Sequence, residues 1–268
     1  MFYKFLFLTL FSSLSYTFAN PNLALQCLKE SYPILFIEQN RMTYKDILWE
    51  LTKIPKHNNM QDYENALRTG NLADSFAYAY PLGFRTLEPF KDSTRIHDYA
   101  FLASLYGENQ KNVESHLKPL TWMDGSQLLF NSQNGAYAAL KRVKDRLIQV
   151  AKENPKLLTY LENIGGTYKW RKIANTNRLS AHSFGIAIDI NVAKSRYWLW
   201  DIKQKALNQD IAQIPAIIVQ IFEEEGFIWG GRWWHYDTMH FEYRPEILCY
   251  AKALKNAESK TLKNSKSL

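Results

Sequence analysis

His182, Asp189 and His240 form the set of residues in this chain best suited to chemistry. Two imidazoles and a carboxylate are ligands that a catalytic zinc takes while keeping one position for water. They lie in two separate segments, S-A-H-S-F-G-I-A-I-D at residues 180–189 and D-T-M-H-F-E at 237–242. Asp237 stands three residues before His240, near enough to sit beside the metal without binding it. Zinc brings a bound water to a pKa of roughly 7, and a neighbouring carboxylate can take its proton during attack on a carbonyl, then return it to the leaving amine. Asp237 therefore reads as a general base, against the plainer reading of an Asp that only forms a turn before a strand. A His/Asp/His set also accepts other divalent metals. His57, His97, His116 and His235 read as ordinary surface or core histidines, and neither Cys27 nor Cys249 is needed to complete the ligand set.

Strands must position these groups. Ile186, Ile188, Ile190 and Val192 alternate with Ala187, Asp189 and Asn191, the period of a half-buried strand, which sends Asp189 away from the Ile/Val face. Ala187 is small and leaves room above the sheet, and Gly185 allows the turn between the His182 loop and the strand. In the second segment His240 and Glu242 share one face, Phe241 and Tyr243 the other. If the two strands pair in register, His240 meets Asp189.

The pattern S-x-H-x-x-G-x-A-x-D followed by D-x-x-H-F-E resembles the zinc D-alanyl-D-alanine carboxypeptidase family: VanY-type carboxypeptidases, VanX-type dipeptidases and L-alanyl-D-glutamate endolysins. The run G-F-I-W-G-G-R-W at 226–233 looks like the family's glycine and tryptophan segment, and the likeness covers roughly residues 126–250. VanX-type enzymes carry Glu where this chain has Asp237, so the carboxypeptidase and endolysin branches are nearer. The resemblance implies an α+β, hedgehog/DD-peptidase-like fold: a small antiparallel sheet with flanking helices, here preceded by a mainly helical N-terminal part. It implies Zn2+ on His182, Asp189 and His240, with Asp237 as catalytic carboxylate. It also implies activity on peptidoglycan stem peptides, foremost as a D,D-carboxypeptidase. The alternatives are an endopeptidase cutting L-Ala-D-Glu or crosslinks, and a non-catalytic, zinc-containing wall-binding protein.

Family members place an arginine before the first zinc histidine, and Arg171 is the best match, in a stretch at 166–173 that reads as a strand. Its planar fork of donors suits a substrate carboxylate or an oxyanion, though Lys169, Lys172 and Arg178 compete for that role. Ser180 could bond substrate or orient a ligand, or simply form a turn.

Lys4, an apolar run from Phe5 to Leu14, and Thr17, Phe18, Ala19 form a secretory signal over residues 1–19, too short for a comfortable membrane span. The reading is therefore export, to a periplasmic or wall-associated location, with no stable membrane insertion after cleavage. In that compartment Cys27 and Cys249 can pair, closing a loop worth on the order of 4 kcal/mol, or remain as buried thiols. The net charge is +7, but Lys252, Lys255, Lys260, Lys263 and Lys266 against Glu258 put +4 of it in the tail. That concentration argues against a nucleic-acid surface and makes residues 251–268 a flexible basic tail. Helical spacing appears at 44–53 (Ile47, Leu48, Leu51), around Val113 and Leu117, at 134–152, from Pro155 towards Asn163, and from Pro215 to a stop at Gly226. Residues 85–112, rich in aromatics and turns, suggest a lid or substrate wall. The division is then signal 1–19, helical part 20–125, catalytic domain 126–250 and tail 251–268.

Overall fold

Asn20 accepts a hydrogen bond from the Leu23 amide and starts helix α1 (Pro21–Ser31), with proline in the first turn where its missing N–H costs nothing. The computed structural model describes residues 19–83, 92–173, 178–205 and 214–265, so the signal at 1–19 lies almost wholly outside the described residues, as does the start of the 85–112 wall. After α1 come three antiparallel strands, β1 (Phe36–Glu38), β2 (Arg41–Tyr44) and β3 (Ile47–Glu50). Residues 44–53 are thus not a helix. Lys45 turns the chain at φ 51°, and Trp49 and Leu51 are buried while Ile47, Leu48 and Glu50 face solvent, an alternation of two that the helical spacing of Ile47, Leu48 and Leu51 obscured. The N-terminal part is consequently mixed rather than mainly helical.

Helix α2 (Met60–Thr69), a 3-10 turn at Ser93–Arg95, α3 (Tyr99–Tyr106) and α4 (Gln110–His116) follow. The stretch at Val113 is helical, but Leu117 already belongs to a hairpin of β4 (Leu117–Thr121) and β5 (Gln127–Asn131). The helix expected at 134–152 is α5 (Ala136–Glu153), whose Leu140, Val143 and Leu147 are fully buried. Asn154 makes no side-chain cap, and beyond it a 3-10 turn at Pro155–Leu157 leads into the single-turn α6 (Leu158–Leu161).

The site rests on a four-stranded antiparallel sheet of β6 (Ile164–Gly166), β7 (Ala187–Asn191), β8 (Phe227–Trp229) and β9 (His240–Tyr243), in the order β6-β7-β9-β8. Between β7 and β8 lie α7 (Trp198–Lys203) and α8 (Ala216–Glu224), and α8 ends at Gly226 with φ 93°. Phe241 stacks on Phe222 of α8 at 4.0 Å, which turns His240 and Glu242 to the other face. Helix α9 (Pro245–Ser265) closes the chain. The expected flexible tail is therefore helical as far as Ser265, a stretch of good helix formers whose Ala251 and Leu254 are buried against the body.

Among the described residues the architecture is α+β with three small antiparallel sheets. One apolar core runs from Ala24 in α1 through Phe130, Leu140 and Ile188 to Leu254 in α9, crossing the expected boundary at 125 without a break. Cys27 and Cys249 are disulfide-bonded, tying α1 to α9. No helix among the described residues is long and apolar enough to cross a membrane.

Candidate metal centre

Strand pairing decides the site. In the β7–β9 register Asp189 faces His240 and Ala187 faces Glu242, so alternate side chains of both strands rise from the same surface. Ile186, Ile188 and Ile190 fill the opposite face completely. His182 is brought over the sheet by a 3-10 turn, Ala181–Phe184, which Ser180 caps by accepting from the His182 amide at 3.4 Å. The turn leaves through Gly185 at φ 66°, where a Cβ would stand 2.6 Å from Leu117 and 3.3 Å from the Asn131 amide nitrogen. Only glycine meets both demands.

The expected strand at 166–173 stops at Gly166. Its backbone serves the histidine turn instead: the Lys169 amide donates to the His182 carbonyl at 3.3 Å, and the Arg171 amide donates to Ser183 Oγ at 3.0 Å. The Thr167 carbonyl accepts from His182 Nδ1 at 2.5 Å.

Three side-chain atoms able to bind a metal converge. His182 Nε2 stands 3.2 Å from Asp189 Oδ1 and 3.2 Å from His240 Nδ1, and the last two are 3.0 Å apart. Tetrahedral ligands at the usual zinc bond lengths would be about 3.3 Å from one another. The outer ring nitrogens fix the tautomers. His182 Nδ1 can only donate to a carbonyl, and His240 Nε2 faces the Glu242 carboxylate at 3.2 Å, so the neutral form of each ring keeps its proton there and turns its inner lone pair to a cation. Two lone pairs and a carboxylate oxygen gathered this closely suit a cation, and among the described residues these three side chains form a group able to hold one. The electrostatics agree. Burial pushes Asp189 up, but the two histidines more than offset it and hold the carboxyl far below its usual range. Burial lowers His240, yet Asp189 and Glu242 raise it to about 10, so the pocket calls for positive charge.

Behind the ligands lies a buried polar chain. Glu242 accepts from His97 Nε2 at 2.8 Å and from Arg244 Nη1 at 3.1 Å; Arg244 Nε donates to Glu246 at 2.5 Å, and Tyr32 donates to Glu246 at 2.8 Å. His97 is thus no ordinary core histidine. The sequence carried a signal for Glu242, which lies two residues from His240 on the same strand face, but none for its partners, which come from distant segments.

Asp237 lines the same cleft of about 380 Å³ as the three ligands. Its Oδ1 is buried without a hydrogen-bond partner. Burial, reinforced by the Asp189 charge and opposed by His240, raises its pKa to about 6. Arg171, Ser180 and Arg178 also line this cleft, and so do Arg95, Tyr197, Trp233 and His235, to which sequence reasoning gave no part in it. Ser180 has a structural task as the cap of the His182 turn, while Arg171 is exposed at the cleft.

Residues 174–243 match the family model of D-alanyl-D-alanine carboxypeptidases. The resemblance carried by the two motifs holds over that segment, which marks it as peptidase in kind. No curated protein and no solved structure matches the chain. The carboxypeptidase match contains His182, Asp189, Asp237, His240 and Glu242, and leaves Arg95, His97 and Arg171 outside it.

Proposed function

We propose that this protein is an exported zinc peptidase acting on peptidoglycan stem peptides, as a D,D-carboxypeptidase that removes terminal D-alanine. The observation that carries this reading is the convergence of His182 Nε2, Asp189 Oδ1 and His240 Nδ1 in one cleft with Asp237, whose Oδ1 has no hydrogen-bond partner. These residues would hold zinc, which when bound polarises a scissile carbonyl and acidifies the attacking water. Asp237 accepts a proton from that water and returns it to the leaving amine, a task suited to a carboxyl raised to about 6 and held by no hydrogen bond at Oδ1. Arg171 presents its guanidinium to negative charge on the substrate, with its backbone pinned by the Ser183 hydroxyl, which donates to the Arg171 carbonyl at 2.7 Å. Ser180 acts through His182 by capping its turn.

The sheet β6-β7-β9-β8 with α5 and α8 is the part we assign to the hedgehog/DD-peptidase-like fold, with residues 126–250 as the catalytic unit and the preceding part completing its cleft. The N-terminal signal pattern supports export, and the Cys27–Cys249 bond fits an oxidising compartment. The test is mass spectrometry of defined pentapeptide and crosslinked muropeptides incubated with zinc-loaded mature protein, with a chelated sample alongside. Chelator-sensitive loss of one alanine is expected. Cleavage of stems or crosslinks instead would make it an endopeptidase, and intact substrates with zinc bound would leave a wall-binding protein.

A further inference from the structure

We propose that Arg95 binds the C-terminal carboxylate of the substrate, so that the cleft accepts a chain end rather than a continuing chain. This rests on the peptidase reading above and names the residue that would make it a carboxypeptidase.

Arg95 belongs to the 3-10 turn Ser93–Arg95, outside the family-matched segment, and its side chain opens into the cleft with 20% of its surface exposed. The turn is fastened to the loop before β9. Trp233 Nε1 donates to Thr94 Oγ1 at 2.8 Å, and the His235 amide donates to Asp92 Oδ2 at 3.2 Å. The guanidinium is itself held in place: Nη1 lies 3.2 Å from the Tyr63 hydroxyl and 3.5 Å from Asp92 Oδ2, and Cζ lies 5.8 Å from the Trp233 ring centre. Asp92 divides its Oδ2 between Arg95 and His235, so it does not claim the arginine alone. A guanidinium fixed in this way loses little freedom on meeting a carboxylate.

Its position relative to Asp237 sets its role. The Trp233 ring against which Arg95 packs is 5.5 Å from the His240 ring. The Trp233 and Asp237 amides donate to the same Gly230 carbonyl, at 3.2 and 3.1 Å, so the ring against which Arg95 packs and the Asp237 carboxylate are carried by one short loop, and both residues line the cleft. Burial raises the Asp237 carboxyl, and Arg95 is among the charges that pull it back. A carboxyl that returns its proton to the leaving amine must have the leaving residue beside it. In an amino acid the amine and the carboxylate hang from one carbon, so the carboxylate of a departing terminal residue falls on the same side. Arg171 enters from the loop before His182 and is left for charge developing at the scissile carbonyl.

The experiment is calorimetric titration of zinc-loaded Asp237→Asn protein with an N-acetylated peptide ending in D-alanyl-D-alanine, as free acid and as C-terminal amide. The acid is expected to bind about tenfold tighter or better, as a charge-assisted contact should provide. Adding Arg95→Gln should bring the two within about twofold, Arg95→Lys should recover part of the difference, and Arg171→Gln should preserve it. If Arg95→Gln does not fold, Arg95→Lys and Arg171→Gln carry the comparison, and equal affinity of the Asp237→Asn protein for acid and amide, or no binding of either, overturns the assignment. Discrimination lost in Arg171→Gln but kept in Arg95→Gln also overturns it. Hydrolysis by protein with Asp237 intact separates the two readings. Selective binding with no cleavage would sink the peptidase and leave Arg95 its role, whereas cleavage of acid and amide at equal rates would do the reverse.

Discussion

Glu242→Gln should disable the metal centre without touching a ligand. Glu242 uses Oε1 to accept from both His97 and Arg244, at 2.8 and 3.1 Å, and Oε2 to accept from His240 Nε2 at 3.2 Å. A glutamine keeps its carbonyl towards the two donors, which turns its NH2 towards His240 and sets donor against donor. The imidazole escapes by moving its proton to Nδ1, the nitrogen that points at Asp189 and His182. That nitrogen can then no longer bind a metal. Loss of such supporting contacts commonly weakens metal affinity by about 10–100-fold, or about 1.4–2.8 kcal/mol, and the forced tautomer places this case towards the upper end. Folding should suffer less than the loss of a buried ion pair usually implies, because Arg244 keeps Glu246 at 2.5 Å; about 1–3 kcal/mol is expected. Competition with a chromogenic chelator measures the first quantity, and melting of metal-free protein the second. Zinc affinity within about twofold of wild type, in a folded variant, would refute the assignment of the tautomers and with it the ligand atoms.

Asp237→Asn should retain zinc and lose turnover by about 10²–10⁴-fold, while His182→Ala should lose both; metal analysis beside a muropeptide assay separates the two cases. Cys27→Ser should cost about 3–5 kcal/mol in denaturant titration, since the bond closes a loop of 222 residues and joins α1 to α9. Gly185→Ala should destabilise by about 1–3 kcal/mol and weaken zinc binding, because strain at φ 66° and the contact with Leu117 both push on the His182 turn. Asp92 gives a pH signature: burial raises its carboxyl, but the His235 hydrogen bond and the Arg95 charge more than offset this and hold it below the usual carboxylate range. A depressed carboxyl contributes stability that is complete above the unfolded pKa of about 3.9 and fades as pH falls through the folded value. Asp92→Asn should therefore flatten the acid limb of stability measured by thermal melting from pH 6 downwards to about 3.

What could be read from the chain depended on how local the signal was. The meeting of Asp189 and His240 was legible because period-two alternation fixes which way a strand residue points, and the β7–β9 register brings the two opposite each other, whereas His182 stands on a 3-10 turn and was picked out by its motif. Helices α5 and α8 announced themselves by an apolar stripe and by a closing glycine. The β2–β3 hairpin did not, because Ile47, Leu48 and Leu51 imitate a helical face, and only the burial of Trp49 and Leu51 in alternation with exposed Leu48 and Glu50 shows the true period. Residues 166–173 carry strand-forming side chains, but the backbone is engaged by the His182 turn, a tertiary demand that no local propensity records.

The cost of burying charge makes the centre draw on residues far outside the matched segment. A carboxylate behind a ligand histidine is useful only when buried, and a buried carboxylate is costly unless every oxygen is engaged. Glu242 is engaged by His97 and Arg244, Arg244 in turn by Glu246, and Glu246 by Tyr32 at the end of α1. Each member satisfies the one before it, and the chain ends at a hydroxyl, a group that can be buried without carrying charge. The disulfide and the packing of α1 on α9 hold that last hydroxyl where Glu246 needs it. Residues 174–243 hold His182, Asp189, Asp237 and His240, yet the partners that let Glu242 stay ionised come from either side of them. An isolated segment of that length would expose or strand Glu242, and His240 would lose the contact that keeps its Nδ1 free for a metal.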